Sequence, residues 1–290
     1  KVGGVDRYVL HKIVHSFQID RGSTVQSPSG MVGCRVEADA HVVTGEMNFV
    51  NSLVSGLRKN KLLMRGVVFD AFAAASSVLN DVERHLGCLV IDIGGGTTSI
   101  AFVKQGVLVS TAVIPIGGDL FTSDLASVLG MDSLSAAELK EGLQEFAGER
   151  VKVYDYVEGI EREVAVSQLQ GIIDSRSDEL VEQIDEVLRC EERIINSMGG
   201  SSVVITGNGS KIPGLREKLQ HFFGIRVKIG VPFLPGVDEL PDQLRDRSSA
   251  VAIGLIRYGA SRIFKKRRAF RVFSNVLLKL RTAIDYYIGE

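Results

Sequence analysis

The segment Leu89-Val90-Ile91-Asp92-Ile93-Gly94-Gly95-Gly96-Thr97-Thr98-Ser99 decides the fold class of this 290-residue chain. Its apolar first half predicts a buried strand that delivers Asp92 at its end. Three glycines then remove every Cβ from the turn, so that backbone N–H groups can approach phosphate oxygens. The hydroxyls of Thr97 and Thr98 add donors, and Asp92 is positioned to hold magnesium beside the phosphates. The segment therefore predicts a phosphate-binding turn in an α/β protein.

A glycine-rich β-hairpin turn is the simpler interpretation of the same residues. Such a turn needs only one or two glycines, and a carboxylate after four apolar residues is costly to bury without a partner. Phosphate binding is therefore favoured. The turn lacks the Gly-Lys-Ser/Thr of a Walker A loop and the Gly-x-Gly-x-x-Gly spacing of a dinucleotide site.

A second glycine turn follows about 110 residues later, in Val203-Val204-Ile205-Thr206-Gly207-Asn208-Gly209-Ser210-Lys211-Ile212-Pro213-Gly214-Leu215. It again places a buried strand before glycines and a helix. Gly207 and Gly209, which lack side chains, could form a flat wall against a planar base. Connections of this kind are common, and this one becomes informative only through its pairing with the first turn.

Strands alternate with helices along the chain, which predicts an α/β protein. The predicted strands are 7–19, 34–44, 67–69, 88–93, 99–104, 107–114, 201–206 and 225–229, and the predicted helices are 46–59, 71–80, 135–147, 169–198, 213–223, 248–263 and 264–288.

The composition is ordinary for a globular chain, with 45% hydrophobic and 24% charged residues. It excludes a disordered tail protein, a collagen-like fibre and a polytopic membrane protein. No run of 18 apolar residues predicts a membrane-spanning helix. The three cysteines form no Cys-x-x-Cys pair and indicate a reducing compartment. The chain opens Lys-Val-Gly-Gly-Val-Asp-Arg, without the apolar segment of a secretory signal.

The two glycine turns, together with Ile114-Pro115-Ile116-Gly117-Gly118-Asp119, resemble the phosphate-2 and adenosine motifs of the actin-like ATPase superfamily. The segment 33–45 resembles the small subdomain of the FtsA family of bacterial cell-division proteins, which actin lacks. The segment 250–259 is similar to the closing helix of that family. The resemblance runs from about residue 8 to residue 260 in the family's order.

The resemblance implies an actin-like, ribonuclease H-like two-lobed α/β fold with ATP and Mg²⁺ in the cleft between lobes. It implies that Asp92 holds the magnesium and that Asp70, in Phe69-Asp70-Ala71, positions the attacking water as the catalytic residue; the alternative for Asp70 is a helix N-cap. The implied nucleotide-binding residues are Asp92, Gly94, Gly95, Gly96, Thr97, Thr98, Lys140, Gly207, Asn208 and Gly209.

Some positions depart from the family pattern. Ser99 stands where the family usually has Asp, and Asn208 replaces a usual glycine. The ribose-contacting Glu would fall on Ala137, with Glu138 one position off, about 100° round the helix. The phosphate-1 loop, which the superfamily carries on its first hairpin, is expected to be missing. The first lobe is therefore expected to be incomplete, and the chain to be at most a weak ATPase.

The resemblance also implies a domain organisation. The expected divisions are a small subdomain at 1–66, the remainder of the first lobe with the interdomain helix at 67–87, the second lobe at 88–260 with an inserted subdomain at about 126–194, and a basic amphipathic C-terminal helix at 261–290.

The C-terminal segment 262–290 has eight Lys or Arg residues and two acidic ones, so the rest of the chain is acidic. From Phe270 onward its apolar residues follow one helical face, at positions 270, 273, 276, 277, 280, 284, 287 and 288. This pattern is typical of a helix that lies in the membrane interface with its cations on anionic headgroups. The alternatives are a helix packed on the rest of the protein and a nucleic-acid-binding arm. A nucleic-acid arm does not need eight large apolar residues in register, so no nucleic-acid partner is expected.

The resemblance implies a scaffold that tethers FtsZ filaments to the cytoplasmic face of the bacterial inner membrane, as a peripheral protein at the division site. It also implies self-association into actin-like polymers, binding of anionic lipids through 264–290, and contacts with other proteins of the divisome during septum formation. The alternatives are a PilM-type scaffold of pilus assembly and a phosphotransferase of the sugar-kinase branch. A phosphotransferase would need a complete phosphate-1 loop and a substrate-binding carboxylate, for which Asp70 is the candidate.

Overall fold

The computed structural model describes residues 6–143, 150–191, 201–237 and 240–266, with side chains to residue 261. The strands are β1 (Arg7–Ile19), β2 (Thr24–Val25), β3 (Val36–Glu46), β4 (Cys88–Ile93), β5 (Thr98–Lys104), β6 (Val107–Ile114), β7 (Arg150–Asp155), β8 (Ile160–Ala165), β9 (Ser202–Thr206) and β10 (Val227–Ile229). The helices are α1 (Met47–Lys59), α2 (Asp70–Val78), α3 (Asp81–Leu86), α4 (Gly118–Leu129), α5 (Ser133–Gly142), α6 (Val166–Cys190), α7 (Leu215–Phe223) and α8 (Ala250–Lys266).

A five-stranded sheet of order β10-β9-β4-β5-β6 forms the centre of the larger unit. The strands β4, β9 and β10 run parallel, whereas β5 and β6 continue the sheet as antiparallel hairpins. Asp92 on β4 is paired in register with Thr206 on β9. Because the carboxyl ends of parallel neighbours meet at one edge of a sheet, both predicted glycine turns lie at the same edge.

Every residue of β4 is buried, because helices cover both faces of the central sheet. Leu89, Ile91 and Ile93 belong to an apolar cluster formed with α4, α5, α6 and α7. Cys88 and Val90 belong to a second cluster, formed with α2 and α8 on the opposite face. Side chains alternate along a strand, so Asp92 shares the face of α2 and α8.

A smaller sheet of order β2-β1-β3 precedes the central sheet in the chain, and α1 packs beside it. Two histidines of this sheet contact β6. The Nε2 atom of His15 lies 3.0 Å from the carbonyl oxygen of Leu108, and that of His41 lies 2.9 Å from Oγ1 of Thr111. The small sheet therefore docks on the outermost strand of the central sheet.

With one exception, the structure confirms the predicted strands, which form the small and the central sheet, and the hairpin around Gln105-Gly106. The predicted strand at 67–69 is wrong: within the described residues it pairs with no strand, and the Phe69 N–H donates to His11 Nε2 instead. The hairpin β7–β8 was not predicted. The predicted helix 213–223 begins at Leu215, after a 3₁₀ turn at Asn208–Lys211. The predicted tail helix lies outside the described residues from 267 onward.

The helices α2 and α8 pack against each other with very little space between their backbones. Alanines at 71, 73, 74 and 75 are fully or almost fully buried along α2. A Cβ placed on Gly254 of α8 would come within 1.8 Å of the Ala73 carbonyl oxygen. The close approach of these two helices therefore requires glycine at position 254.

We expect Gly254→Ala to lower the free energy of unfolding by about 2 kcal/mol or more, because the two helices must separate to admit the methyl group. Gly171→Ala in α6 is the matched control, since a Cβ there meets no atom within 4 Å. The control should raise stability by about 0.5–1 kcal/mol through helix propensity. Chemical denaturation of both variants measures the difference, and equal effects would contradict the close packing.

Candidate functional site

The first glycine turn is a β-hairpin turn that also lines a cavity. It joins β4 to β5, and the Gly94 N–H donates to the Thr97 carbonyl oxygen at 2.9 Å. Gly94 and Gly95 form part of the cavity wall. The hairpin interpretation and the site interpretation of the sequence are therefore compatible.

The segment that follows β6 is bonded directly to the first turn. The N–H of Gly118 donates to the Gly94 carbonyl oxygen at 2.9 Å, and that of Asp119 donates to Gly95 at 2.8 Å. Thr98 is buried, and its hydroxyl donates to the carbonyl oxygen of Ile116 at 2.7 Å. The beginning of α4 is thus held at the turn by hydrogen bonds between backbone atoms.

The cavity has a volume of about 770 Å³, within the range of small-molecule sites. It lies between the first turn, the beginnings of α4 and α5, the second turn and the 3₁₀ turn before α8. The lining residues are Gly94, Gly95, Gly118, Asp119, Thr122, Ser123, Ser133, Ala137, Lys140, Glu141, Asn208, Gly209, Lys211, Ile212, Pro213 and Arg247.

The structure brings five of the predicted site residues to the cavity wall: Gly94, Gly95, Lys140, Asn208 and Gly209. The other six are not part of the wall: Asp70, Asp92, Gly96, Thr97, Thr98 and Gly207. Thr98 is the clearest departure, because its hydroxyl donor is already used within the sheet. From the sequence, the ribose-contacting Glu of the family falls on Ala137, with Glu138 one position off. In the structure Ala137 and Glu141 line the cavity, and Glu138 is not part of its wall.

The second turn is pressed against the end of β4. A Cβ on Gly207, whose φ is +80°, would lie 2.4 Å from the Ile93 carbonyl oxygen and 2.5 Å from Oδ1 of Asp92. A Cβ on Gly209 would lie 2.4 Å from Cγ2 of Ile93. These glycines were predicted as a flat wall for a base. Contact between the two turns already requires them, whatever the cavity binds.

Asp92 and Asp70 form a pair of carboxylates on the α2 face of the central sheet. Asp92 is only 6% exposed. Its negative neighbour Asp70 is the first residue of α2, with Phe69 as the N-cap, so Asp70 is not itself the N-cap. Oδ2 of Asp70 accepts a 2.9 Å hydrogen bond from Ser99, which is paired with Asp92 across β4 and β5. The structure thus gives Ser99 a role as a donor to Asp70.

Burial, and then the negative charge of Asp70, raises the pKa of Asp92 to about 7. Two adjacent carboxylates, one of them buried, are a chemically suitable pair for a divalent cation or a shared proton. The pair lies at the end of β4, next to the glycine turn, but its side chains are outside the cavity wall. The described residues contain no group of three potential metal ligands.

Three cationic side chains, together with the carboxylates of Asp119 and Glu141, line the cavity. Lys140 donates from Nζ to the Gly118 carbonyl oxygen at 2.9 Å and to Thr122 Oγ1 at 2.7 Å, and burial lowers its pKa. Arg247 donates to the Ser210 carbonyl oxygen at 2.9 Å. Lys211 bonds Asp246 and thereby holds the pKa of that carboxyl below its usual range.

Arg247 and Lys211 line the cavity but were not among the predicted site residues. Lys211 follows the second glycine turn directly, which was the available signal. Arg247 begins the 3₁₀ turn before α8, and its hydrogen bonds with Thr206 and Ser210 place it at the second turn. The geometry fits a phosphate-bearing ligand, because the glycine turn exposes backbone to a cavity with three cations in its wall.

The architecture defines an α/β protein of the actin-like class. MreB 5 of Spiroplasma citri, in a structure bound to AMPPNP, superposes with a TM-score of 0.60 at 17% identity, covering 77% of this chain and 68% of that one. The PilM–PilN complex of type IV pilus biogenesis superposes with a TM-score of 0.60 at 19% identity, covering 86% of this chain and 66% of that one. At these identities the likeness concerns the fold alone.

The chain belongs to the FtsA family. The family description "Cell division protein FtsA" matches residues 89–254, more than half of the chain, and "SHS2 domain inserted in FTSA" matches residues 3–44. Cell division protein FtsA of Pseudomonas aeruginosa is 34% identical over 260 residues, which are 88% of this chain and 61% of that protein. FtsA of Escherichia coli is 30% identical over 262 residues, which are 87% of this chain and 62% of that protein. The chain thus spans about three fifths of the length of these relatives.

We expect stability to fall as the pH rises from about 4 to about 7, because the folded state holds the Asp92 proton more strongly than the unfolded chain, whose carboxyl has a pKa near 3.8. The Asp92→Asn variant should lose this slope. It should nearly match the parent at pH 4 and exceed it by about 4 kcal/mol at pH 8. Denaturant titrations at both pH values test this. Asp242→Asn, at an exposed carboxyl, serves as control, and an unchanged slope in Asp92→Asn would contradict the buried carboxyl.

Proposed function

We propose that the chain is a nucleotide-binding, actin-like scaffold of bacterial cell division that tethers FtsZ filaments to the cytoplasmic face of the inner membrane. The observation that carries this proposal is the convergence of both glycine turns and Lys140 on one cavity in a chain of the FtsA family. The family match also favours this function over a PilM-type pilus scaffold.

The nucleotide would enter the 770 Å³ cavity with its phosphates against the first turn. Backbone N–H groups of Gly95–Thr97 would contact phosphate oxygens, since the Gly94 N–H is already bonded within the turn, and Lys140 would add a positive charge. Asn208 and Gly209 would face the adenosine. The structures of MreB 5 bound to AMPPNP and ADP support a nucleotide as the ligand of this fold.

Asp92 would hold Mg²⁺, with the negative charge of Asp70 close beside it. The ion would supply positive charge beside the phosphates and remove the repulsion between the two carboxylates. Ser99 would keep Asp70 in place through its hydroxyl. Asp70 would serve as the residue that positions water if hydrolysis occurs. ATP acts in this proposal chiefly as a conformational ligand, whose effect equals its difference in affinity between states.

The proposed domain organisation follows the predicted boundaries at 66, 87 and 260. Within the described part of the chain, no helix is long and apolar enough to cross a membrane. In the proposal, membrane attachment is made by the segment 264–290, because its sequence pattern is amphipathic and its cations suit anionic headgroups. Self-association into filaments and contacts with further divisome proteins belong to the same proposal, and nucleic acid does not.

We expect Lys140→Met to weaken binding of a fluorescent ATP analogue by about tenfold, because a charge-assisted bond to phosphate contributes roughly 1.5–3 kcal/mol. The methionine keeps the apolar stem that packs beside α4. Lys152→Met is the control, because Lys152 is an exposed cation on β7, away from the cavity. Titration by fluorescence anisotropy measures the affinities. Equal affinities for both variants and the parent would exclude the cavity as the nucleotide site.

The tether is tested by co-sedimentation of FtsZ filaments with anionic liposomes in the presence of the chain, with and without residues 264–290. We expect recruitment by the full chain, its loss without the tail, and weakening at high salt as the headgroup charge is screened. If the chain binds the liposomes but does not bring FtsZ filaments to them, its partner is a different protein. Absence of liposome binding by a folded full-length sample would overturn the membrane tether.

A further inference from the structure

The helix α1, which does not line the cavity, exposes apolar side chains to solvent. Four large apolar side chains are directed to solvent on α1 and the turn after it: Phe49 (73% exposed), Leu53 (44%), Leu62 (56%) and Leu63 (84%). Phe49 and Leu53 are four residues apart and therefore adjacent on one helical face. We call residues 47–65 the α1 surface.

These exposed side chains are not the part of α1 that attaches it to the protein. Val50 is buried, and Met47, Val54 and Leu57 are half-buried against the small sheet. Those four residues already form the inward stripe of an amphipathic helix. Phe49 and Leu53 thus add an apolar edge that the packing of α1 does not use.

The turn after α1 holds Leu62 and Leu63 at the end of the helix. The Leu62 N–H donates to the Leu57 carbonyl oxygen at 2.9 Å, and the Lys61 N–H donates to Arg58 at 2.9 Å. This pair of bonds is a Schellman motif, which ends α1 and has Leu62 as its last residue. Leu62 and Leu63 therefore add two exposed apolar side chains directly after the end of α1.

The charge of the α1 surface has a single sign. Arg58, Lys59, Lys61 and Arg65 lie between positions 47 and 69, and no Asp or Glu does. Arg58 and Lys59 also suit the negative end of the helix dipole. The helix dipole does not explain Lys61 or Arg65, which lie beyond the last turn of α1. Lys61 also has a φ of +59°, a backbone conformation in which glycine is favoured over lysine.

We propose that the α1 surface is a second membrane contact, in which Phe49, Leu62 and Leu63 enter the interface of an anionic bilayer and the four cations bind its headgroups. Four cations and no acid lie between positions 47 and 69, and Glu46, the acid that precedes α1, is at the other end of that helix from Lys59 and Lys61. Exposed apolar side chains beside such a cluster of cations are complementary to an interface where apolar groups enter the acyl boundary and positive charge meets anionic lipids. The contact is independent of the C-terminal segment 264–290 and of the nucleotide cavity.

The position of the α1 surface on the membrane is tested with an environment-sensitive fluorophore on the full chain. The two exposed cysteines are first removed as Cys34→Ser and Cys190→Ser. Single cysteines are then introduced as Leu63→Cys on the surface, Leu277→Cys in the tail and Val157→Cys on the β7–β8 turn as control. Vesicles of phosphatidylglycerol with phosphatidylcholine, or of phosphatidylcholine alone, are added.

We expect a blue shift at position 63 with phosphatidylglycerol vesicles, and none at position 157 or with phosphatidylcholine alone. A shift at 277 without one at 63 would overturn the α1 contact and leave the tail tether intact. A shift at 63 without one at 277 would support the α1 contact and contradict the tail. No shift at 63, in a sample shown to be folded by circular dichroism, would overturn the inference.

The charge contribution is measured by vesicle co-sedimentation of Lys59→Gln/Lys61→Gln in the full chain. Partitioning should fall by roughly 30-fold, about fivefold for each cation near an anionic surface. Arg150→Gln/Lys152→Gln on β7 is the control of equal charge change and should reduce it much less. Equal losses in the two pairs would overturn the local contact, because only net charge would then matter.

Discussion

The parallel pairing of β4 with β9 is the constraint on which the rest of the site depends. It brings two glycine turns, about 110 residues apart in the chain, to one edge of the central sheet. The contact is so close that side chains at Gly207 and Gly209 would collide with the end of β4. Backbone hydrogen bonds from Gly118 and Asp119 then attach α4 to the first turn. The cavity is what remains between these connected segments.

Much of this arrangement could be predicted from sequence. The apolar run that ends in Asp92 identified a buried strand, and the glycines after it identified the turn. The motif at 114–119 was recognised as part of the same site, and its hydrogen bonds to Gly94 and Gly95 explain why the three segments occur together. Local pattern was sufficient for the buried strand and its turn, whereas the resemblance to the actin-like motifs was needed to connect the segment 114–119 and the second turn with them.

The rest required the fold. Strand alternation places Asp92 on the α2 face, beside Asp70, whereas the cavity lies at the turn and toward α4 and α5. The carboxylate and the glycines were predicted to form a single phosphate site. Arg247 was missed, since its contact with Ser210 joins segments 37 residues apart. The predicted strand at 67–69 failed because its partner, within the described residues, is a histidine side chain and not another strand.

Hydrogen–deuterium exchange with and without Mg-ATP tests the central claim most directly, because the proposed ligand contacts are backbone N–H groups at the first turn and side chains around the second. We predict slower exchange in peptides that cover 94–97 and 207–211, with little change in β7–β8. Binding of Mg-ATP without protection of either turn would contradict the account. The cavity between the two glycine turns would then not be the nucleotide site.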